Sequence, residues 1–356
     1  MAKLRILIVD DSAYNRQAIS QVLGQNDEIE IVGKAFDGEE GLKLADALKP
    51  DLITLDLEMP RMDGFTFLRM LMARMPTPVL VISQHNRKQN VFRALELGAL
   101  DFVAKPARYI NPELESLTKE LIEKVRLVRA LQKFPPLRTN LAKHEVKPLD
   151  VETTKVSHGD DEESAQRQPT SLICIGSSTG GPRLLHALVK ELQPQTEAAV
   201  LIAQHMPEKF TEAFAERLDR VSPLKVCEAQ HNMAIVRGHI YVAPGGAIME
   251  VFKKNGQLIL GIRPPDEAVR YTPSVDQLFI TAAESYGPLV LAVVLTGMGF
   301  DGSLGVKKVH ECGGKVIAES QETAVIYGMP KEAIATGCVD EVLPIPAIIE
   351  KLAKIN

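Results

Sequence analysis

A chain of 356 residues is longer than one ordinary core serves, so two domains are expected, and 45% apolar with 24% charged residues describes a globular protein. No apolar run reaches the roughly 18 residues that suggest a membrane span and no signal-peptide pattern opens the chain, so a cytoplasmic protein without direct membrane insertion is expected. The net charge of −5 lends no support to a nucleic-acid binder, and the scattered Cys174, Cys227, Cys312 and Cys338, with no C-x-x-C pair, read as free thiols.

The first third alternates strands at 4–9, 29–35, 52–55, 79–82 and 102–104 with helices starting at Ser12 and Gly38 and lying near 65–72, 88–97 and 113–131. Strand–helix alternation with short loops implies a parallel sheet covered on both faces, with functional groups gathered at the carboxyl ends of its strands. Asp10 and Asp11 follow the first strand, Asp56 the third, Ser83 the fourth, and Lys105-Pro106 the fifth. Carboxylates converging on one edge repel unless a cation joins them, and Mg²⁺ suits such a set. A lysine and a hydroxyl beside them fit phosphoryl oxygens, so the expected chemistry is phosphoryl transfer to one carboxylate. An isolated Asp after a strand is more often a helix cap, and the Asp11-Ser12 pair could serve partly as one.

Residues 1–132 thereby resemble a response-regulator receiver. The resemblance is carried by Ile8-Val9-Asp10-Asp11-Ser12, by Leu55-Asp56-Leu57-Glu58-Met59-Pro60 with Met62-Asp63-Gly64, by Ser83 and by Ala104-Lys105-Pro106. It implies a flavodoxin-like, doubly wound fold with Asp56 as phosphoacceptor. Asp10, Asp11, Asp56 and the backbone carbonyl of Glu58 would hold Mg²⁺, and Ser83 and Lys105 would read the phosphoryl group. Phe102 stands where that family carries an aromatic switch residue.

From 133 to 170 the periodicity stops. Pro135-Pro136, Pro148 and Pro169 punctuate a polar stretch holding His144 and the charge-rich run from His158 to Ser164, and such composition reads as a flexible linker.

The remainder, 171–356, returns to strands at 171–175, 198–203, 240–243, 289–295 and 315–318, with helices near 182–192, 209–219, 274–285 and 303–311. A hairpin is expected across 248–252 and 258–262, turning at Asn255-Gly256. Three apolar strands are each followed by a chemically distinctive loop. After Ile175 comes Gly176-Ser177-Ser178-Thr179-Gly180-Gly181, with Pro182 opening a helix; after Ala203 comes Gln204-His205; after Leu295 comes Thr296-Gly297-Met298-Gly299-Phe300-Asp301. If the three strands are neighbours, Ser178, His205 and Asp301 meet as nucleophile, base and orienting acid. Ser177 is the rival nucleophile, and the Gly176-x-Ser178-x-Gly180 spacing favours Ser178. His186 and His310 fall on helix patterns, His239 precedes a strand and His231 sits in a polar turn, so all four read as surface or packing residues. The order Ser, His, Asp differs from the Ser, acid, His order of the nucleophile-elbow hydrolases, and no Gly-Lys-Ser/Thr ending completes a phosphate-binding loop.

This half resembles the catalytic domain of the chemotaxis protein-glutamate methylesterases. The carrying residues are 175–181, Gln204-His205-Met206-Pro207 with Phe210-Thr211, Tyr241-Val242-Ala243-Pro244-Gly245, Thr272-Pro273-Ser274-Val275-Asp276, 295–302 and Tyr327-Gly328-Met329-Pro330. The resemblance implies a Rossmann-like methylesterase domain with Ser178, His205 and Asp301 as its triad, the Met298 amide as an oxyanion donor, and no cofactor in this domain. Phe300 stands at a position often polar in that family, and Tyr271 at one where basic residues are common. The implied activity is phosphorylation-controlled hydrolysis of glutamate γ-methyl esters on methyl-accepting chemoreceptors, with glutamine deamidation by the same route and a chemotaxis histidine kinase as phosphodonor. A monomer that binds no nucleic acid is expected. A receiver controlling a nucleotide-binding output through 177–181, or a DNA-binding output, is the alternative; the chain shows no basic helix-turn-helix module.

Overall fold

Apolar runs such as Leu52–Leu55 and Leu172–Ser177 are buried along their whole length. Strands buried on both faces pair in parallel, with helices above and below. The computed structural model describes residues 2–84, 88–105, 113–132, 168–267 and 269–355. Pro106, and the expected linker apart from residues 168–170, lie outside the described residues, His144 and His158 among them.

The first unit runs β1 (Leu4–Val9), α1 (Ala13–Gly24), β2 (Ile29–Ala35), α2 (Gly38–Leu48), β3 (Leu52–Leu55), α3 (Gly64–Arg74), β4 (Val79–Gln84), α4 (Lys88–Glu96), β5 (Asp101–Lys105) and α5 (Glu113–Gln132). Its sheet is parallel throughout in the order β2-β1-β3-β4-β5. Helix starts follow local chemistry. The Ser12, Asp37 and Asp63 side chains accept from the amides of Asn15, Glu40 and Thr66 at the first turns of α1, α2 and α3.

The second unit begins with β6 (Leu172–Ser177), α6 (Gly181–Lys190), β7 (Ala199–Gln204), α7 (Phe210–Asp219), β8 (Lys225–Glu228) and β9 (His239–Val242). The hairpin β10 (Ile248–Lys254) and β11 (Gln257–Arg263) follows, then α8 (Val275–Tyr286), β12 (Val290–Val294), α9 (Ser303–Glu311), β13 (Lys315–Glu319), α10 (Met329–Ala335), β14 (Glu341–Leu343) and α11 (Ile345–Ala353). Seven parallel strands line up as β14-β13-β12-β6-β7-β9-β8, and the expected hairpin turns at Asn255 and Gly256, both at positive φ. The elements β8, β14, α10 and α11 were not expected from the sequence. The central trio β12-β6-β7 puts the three chemically distinctive loops side by side.

The two units share packed surface. Phe92 of α4 stacks on Phe214 of α7 at 5.4 Å, and Phe102 of β5 meets Phe210 of α7 at 4.7 Å. Arg217 Nε donates to Glu96 Oε1 (2.9 Å), and His186 Nε2 lies 3.4 Å from the same carboxylate. His186 is therefore a contact between the units, as well as a packing residue of α6. Among the described residues no helix is long and apolar enough to cross a membrane.

Candidate active site

The chain leaves β6 at Ser177 and turns sharply, with Gly180 at φ +84° capping α6 and Pro182 in its first turn. Ser177 is fully buried and its hydroxyl donates to Gln204 Oε1 (2.7 Å). Gln204 Nε2 donates in turn to the carbonyls of Ser178 and His205, at 2.9 Å each. Ser178 is only half-buried. Its N–H donates to the Thr296 carbonyl beyond β12 (3.0 Å), and the His205 N–H donates to the Ser177 carbonyl (2.9 Å). The rival Ser177 hydroxyl is thus committed to Gln204, while Ser178 stands at the edge where three loops meet.

Thr296 ties these loops together. Its Oγ1 donates to the Thr179 carbonyl (3.0 Å) and accepts from the Ile326 N–H (2.8 Å), and its own N–H donates to Glu319 Oε2 (2.7 Å). The next residue has to be glycine, because a Cβ at Gly297 would lie 2.8 Å from Ser178 Cβ and 2.3 Å from Met329 Sδ. The Met298 N–H that follows meets no acceptor among the described residues.

His205 Nε2 lies 2.7 Å from Asp301 Oδ2. Asp301 is 3% exposed, and it also accepts from the Val275 N–H (2.8 Å) and the Asp276 N–H (2.9 Å) at the start of α8. Burial pushes its carboxyl up, but the His205 hydrogen bond and charge and these amides outweigh burial and hold it below the ordinary value. Asp276 returns the arrangement by accepting from Gly302 (2.9 Å) and Gly305 (2.8 Å) at the start of α9. Burial first, and the Asp301 charge after it, push Asp276 up to about 6. Each helix therefore caps its neighbour's N-terminus with a carboxylate. No hydrogen bond joins the Ser178 hydroxyl to the imidazole among the described residues; such contacts are often long before substrate arrives.

In the first unit Asp10, Asp11 and Asp56 each bring a carboxylate oxygen within 4.8 Å of the others. Lys105 Nζ, 5% exposed, donates to Asp10 Oδ2 (2.9 Å) and Asp56 Oδ2 (2.5 Å). Burial pushes Asp56 up to about 6 against the pull of Lys105. The Glu58 N–H reaches Asp56 Oδ1 at 3.4 Å, and Ser83 is buried at the neighbouring strand end. Ser12, rather than Asp11, caps α1. Strand β5 connects this cluster with the other site: Thr179, next to Ser178, donates its hydroxyl to Asp101 Oδ2 (2.5 Å), and Lys124 of α5 pairs with Asp101 at 3.2 Å.

Sequence reasoning missed the roles of Asp276, Glu319 and Tyr271. Asp276 left a trace in the Ser274-Val-Asp-Gln277 capping pattern, where Ser274 accepts from the Gln277 N–H (3.3 Å), and Tyr271 stood out by residue type alone, without its partner.

The family model for the CheB methylesterase matches residues 173–352, and that for the response regulator receiver domain matches residues 6–114. The chain is 43% identical over 352 residues to protein-glutamate methylesterase/protein-glutamine glutaminase 1 of Myxococcus xanthus, covering 99% of this chain and 97% of that protein. It is 44% identical over 351 residues to the third such protein of Geobacter sulfurreducens, covering 96% and 95%. The Thermotoga maritima CheB methylesterase catalytic domain superposes with a TM-score of 0.51 at 41% identity, over 52% of this chain and 98% of that domain.

Proposed function

The chain belongs to the CheB methylesterase family, with a response-regulator receiver in front of the esterase domain, and on that premise we propose that Ser178, His205 and Asp301 hydrolyse glutamate γ-methyl esters on chemoreceptors. The observation that carries this reading is the His205–Asp301 pair at 2.7 Å, one strand away from a half-exposed serine. Asp301 fixes the proton on Nε2, which leaves the Nδ1 lone pair as base. The ring is thus used the other way round from the serine-protease arrangement.

Nδ1 takes the Ser178 proton as Oγ attacks the ester carbonyl. The Met298 N–H faces the developing oxyanion, where a single donor is worth roughly 10²–10³ in kcat. The tetrahedral intermediate collapses as His205 returns the proton to the methoxy oxygen, and methanol leaves. Water, deprotonated by His205, then attacks the acyl carbon and frees glutamate and Ser178. A glutamine side chain follows the same route with ammonia as leaving group, which agrees with the glutaminase names of the relatives.

In the receiver, Asp56 accepts the phosphoryl group from a chemotaxis histidine kinase. The donor set of Asp10, Asp11, Asp56 and the Glu58 carbonyl is all hard oxygen and fits Mg²⁺. When bound, that ion neutralises charge on the phosphoryl oxygens. Lys105 reads the phosphoryl group once Asp56 no longer binds it as a free carboxylate, and Ser83 supplies a hydroxyl. The unphosphorylated receiver covers the mouth of the esterase through Phe92–Phe214, Phe102–Phe210 and Asp101–Thr179. Each tenfold of activation needs about 1.4 kcal/mol of difference between covered and open states. On this reading the receiver spans 1–132, the linker 133–170 and the esterase 171–356, in keeping with the family matches at 6–114 and 173–352.

Ser178→Ala tests the assignment. Methanol release from methylated receptor membranes should vanish while phosphorylation of Asp56 persists; retained turnover would refute the triad.

A further inference from the structure

The triad accounts for one edge of the His205 ring and leaves its face unexplained. Tyr271, from the loop ahead of α8, lies flat on the imidazole with ring centroids 4.9 Å apart and planes 6° from parallel. Three further contacts hold the tyrosine in place. Phe300 meets it edge-on at 6.0 Å and 80°, Arg270 places its guanidinium 5.3 Å from the Tyr271 ring centroid, and Gly299 leaves room for its hydroxyl. A Cβ at Gly299 would stand 2.6 Å from Tyr271 Oη, and φ there is +86°, so a side chain at 299 would both strain the backbone and push the tyrosine off the imidazole.

We propose that Tyr271 is a positioning residue of the esterase, holding the His205 ring in the plane set by Asp301 and supporting the imidazolium formed as Ser178 loses its proton. This rests on His205 being the base. Two physical effects favour it. Asp301 holds the ring at Nε2 alone, and one hydrogen bond leaves rotation about that contact unopposed; a parallel aromatic face removes it. An aromatic face also attracts a cation more than a neutral ring. The stack therefore strengthens as the proton arrives, which makes it a contact to the transition state more than to the resting enzyme.

The test uses the full-length protein with Asp56 phosphorylated. Tyr271→Phe keeps the ring and should retain kcat within about twofold; Tyr271→Leu should lower kcat about tenfold, as expected for a cation–π contribution of roughly 1–2 kcal/mol, with KM little changed. A raised KM with unchanged kcat would make Tyr271 a wall of the substrate groove and overturn the proposal, as would equal losses in both variants. Ring-current shifts of the His205 protons, read by NMR in a Ser178→Ala background, report the stack without turnover. They should persist in Tyr271→Phe and collapse in Tyr271→Leu, and unmoved resonances in Tyr271→Leu would also overturn it. If Ser178→Ala itself retains turnover, the triad reading fails and not this one alone.

Discussion

Glu319 is fully buried, its two oxygens accept from the Thr296 N–H and the Thr323 hydroxyl, and no cation pairs with it among the described residues. Burial pushes its carboxyl from 4.5 up to about 7, against the pull of those two donors. Folding therefore takes up a proton between these values. The stability from the protonated form is complete below about 4.5 and is lost as pH rises through about 7. Each tenfold change in proton affinity is worth roughly 1.4 kcal/mol, so the loss is on the order of 3 kcal/mol. Glu319→Gln keeps an acceptor for Thr296 and removes the titration. Thermal unfolding of the esterase unit should therefore show the variant gaining on the parent between pH 5 and 8, and parallel curves would contradict this. A second prediction concerns the glycine against Ser178, the proposed nucleophile. Gly297→Ala puts a methyl 2.8 Å from Ser178 Cβ, and a displacement of about 1 Å at a reacting group costs roughly 10²-fold. Receptor demethylation should fall by that order with the melting temperature changed far less.

The exchange of carboxylates between α8 and α9 makes the two helices one support for Asp301. Asp276→Ala leaves the Gly302 and Gly305 amides without their acceptor, which at roughly 1–2 kcal/mol for a lost cap should lower the melting temperature by a few degrees. It should also reduce kcat, because the loop that carries Asp301 ends at those amides; Asp276→Asn, which still accepts, should recover most of both. Element by element, legibility followed the apolar signal. The strands β6, β7 and β12 were readable because each is buried on both faces, and their neighbouring order was the one fact the sequence could not supply. The edge strands β8 and β14 escaped notice: they are four and three residues long, and half-exposed edges carry no unbroken apolar run. Helix α11 was legible in principle, since Ile345, Ile348 and Leu352 share its buried face and Pro346 sits in its first turn. Tyr271 and Glu319 were not, because their roles come from partners that only the sheet order brings near.

Across the whole molecule, the receiver reaches the esterase through its α4–β5–α5 side. Phe102 and Asp101 are consecutive on β5: one packs on Phe210, and the other accepts from Thr179, beside Ser178. Lys124 of α5 pairs with the same Asp101 at 3.2 Å, which puts α5 beside this contact. A rearrangement of β5 after Asp56 phosphorylation would therefore be felt within one residue of Ser178 through the Asp101–Thr179 hydrogen bond, while Phe102, which has no hydroxyl, acts through its packing on Phe210. Phe92→Ala weakens this cover from the receiver side; with an aromatic pair worth roughly 0.5–1.5 kcal/mol, the unphosphorylated enzyme should gain up to about tenfold in demethylation rate. A rate unchanged from the parent would contradict occlusion by this face. The most direct measurement is the rate at which a fluorophosphonate labels the full-length protein, with the adduct mapped by mass spectrometry, before and after Asp56 is phosphorylated by a small phosphodonor. The account predicts a single adduct on Ser178 that forms faster after phosphorylation and is lost in His205→Ala; an adduct on Ser177, or one rate in both states, would contradict it.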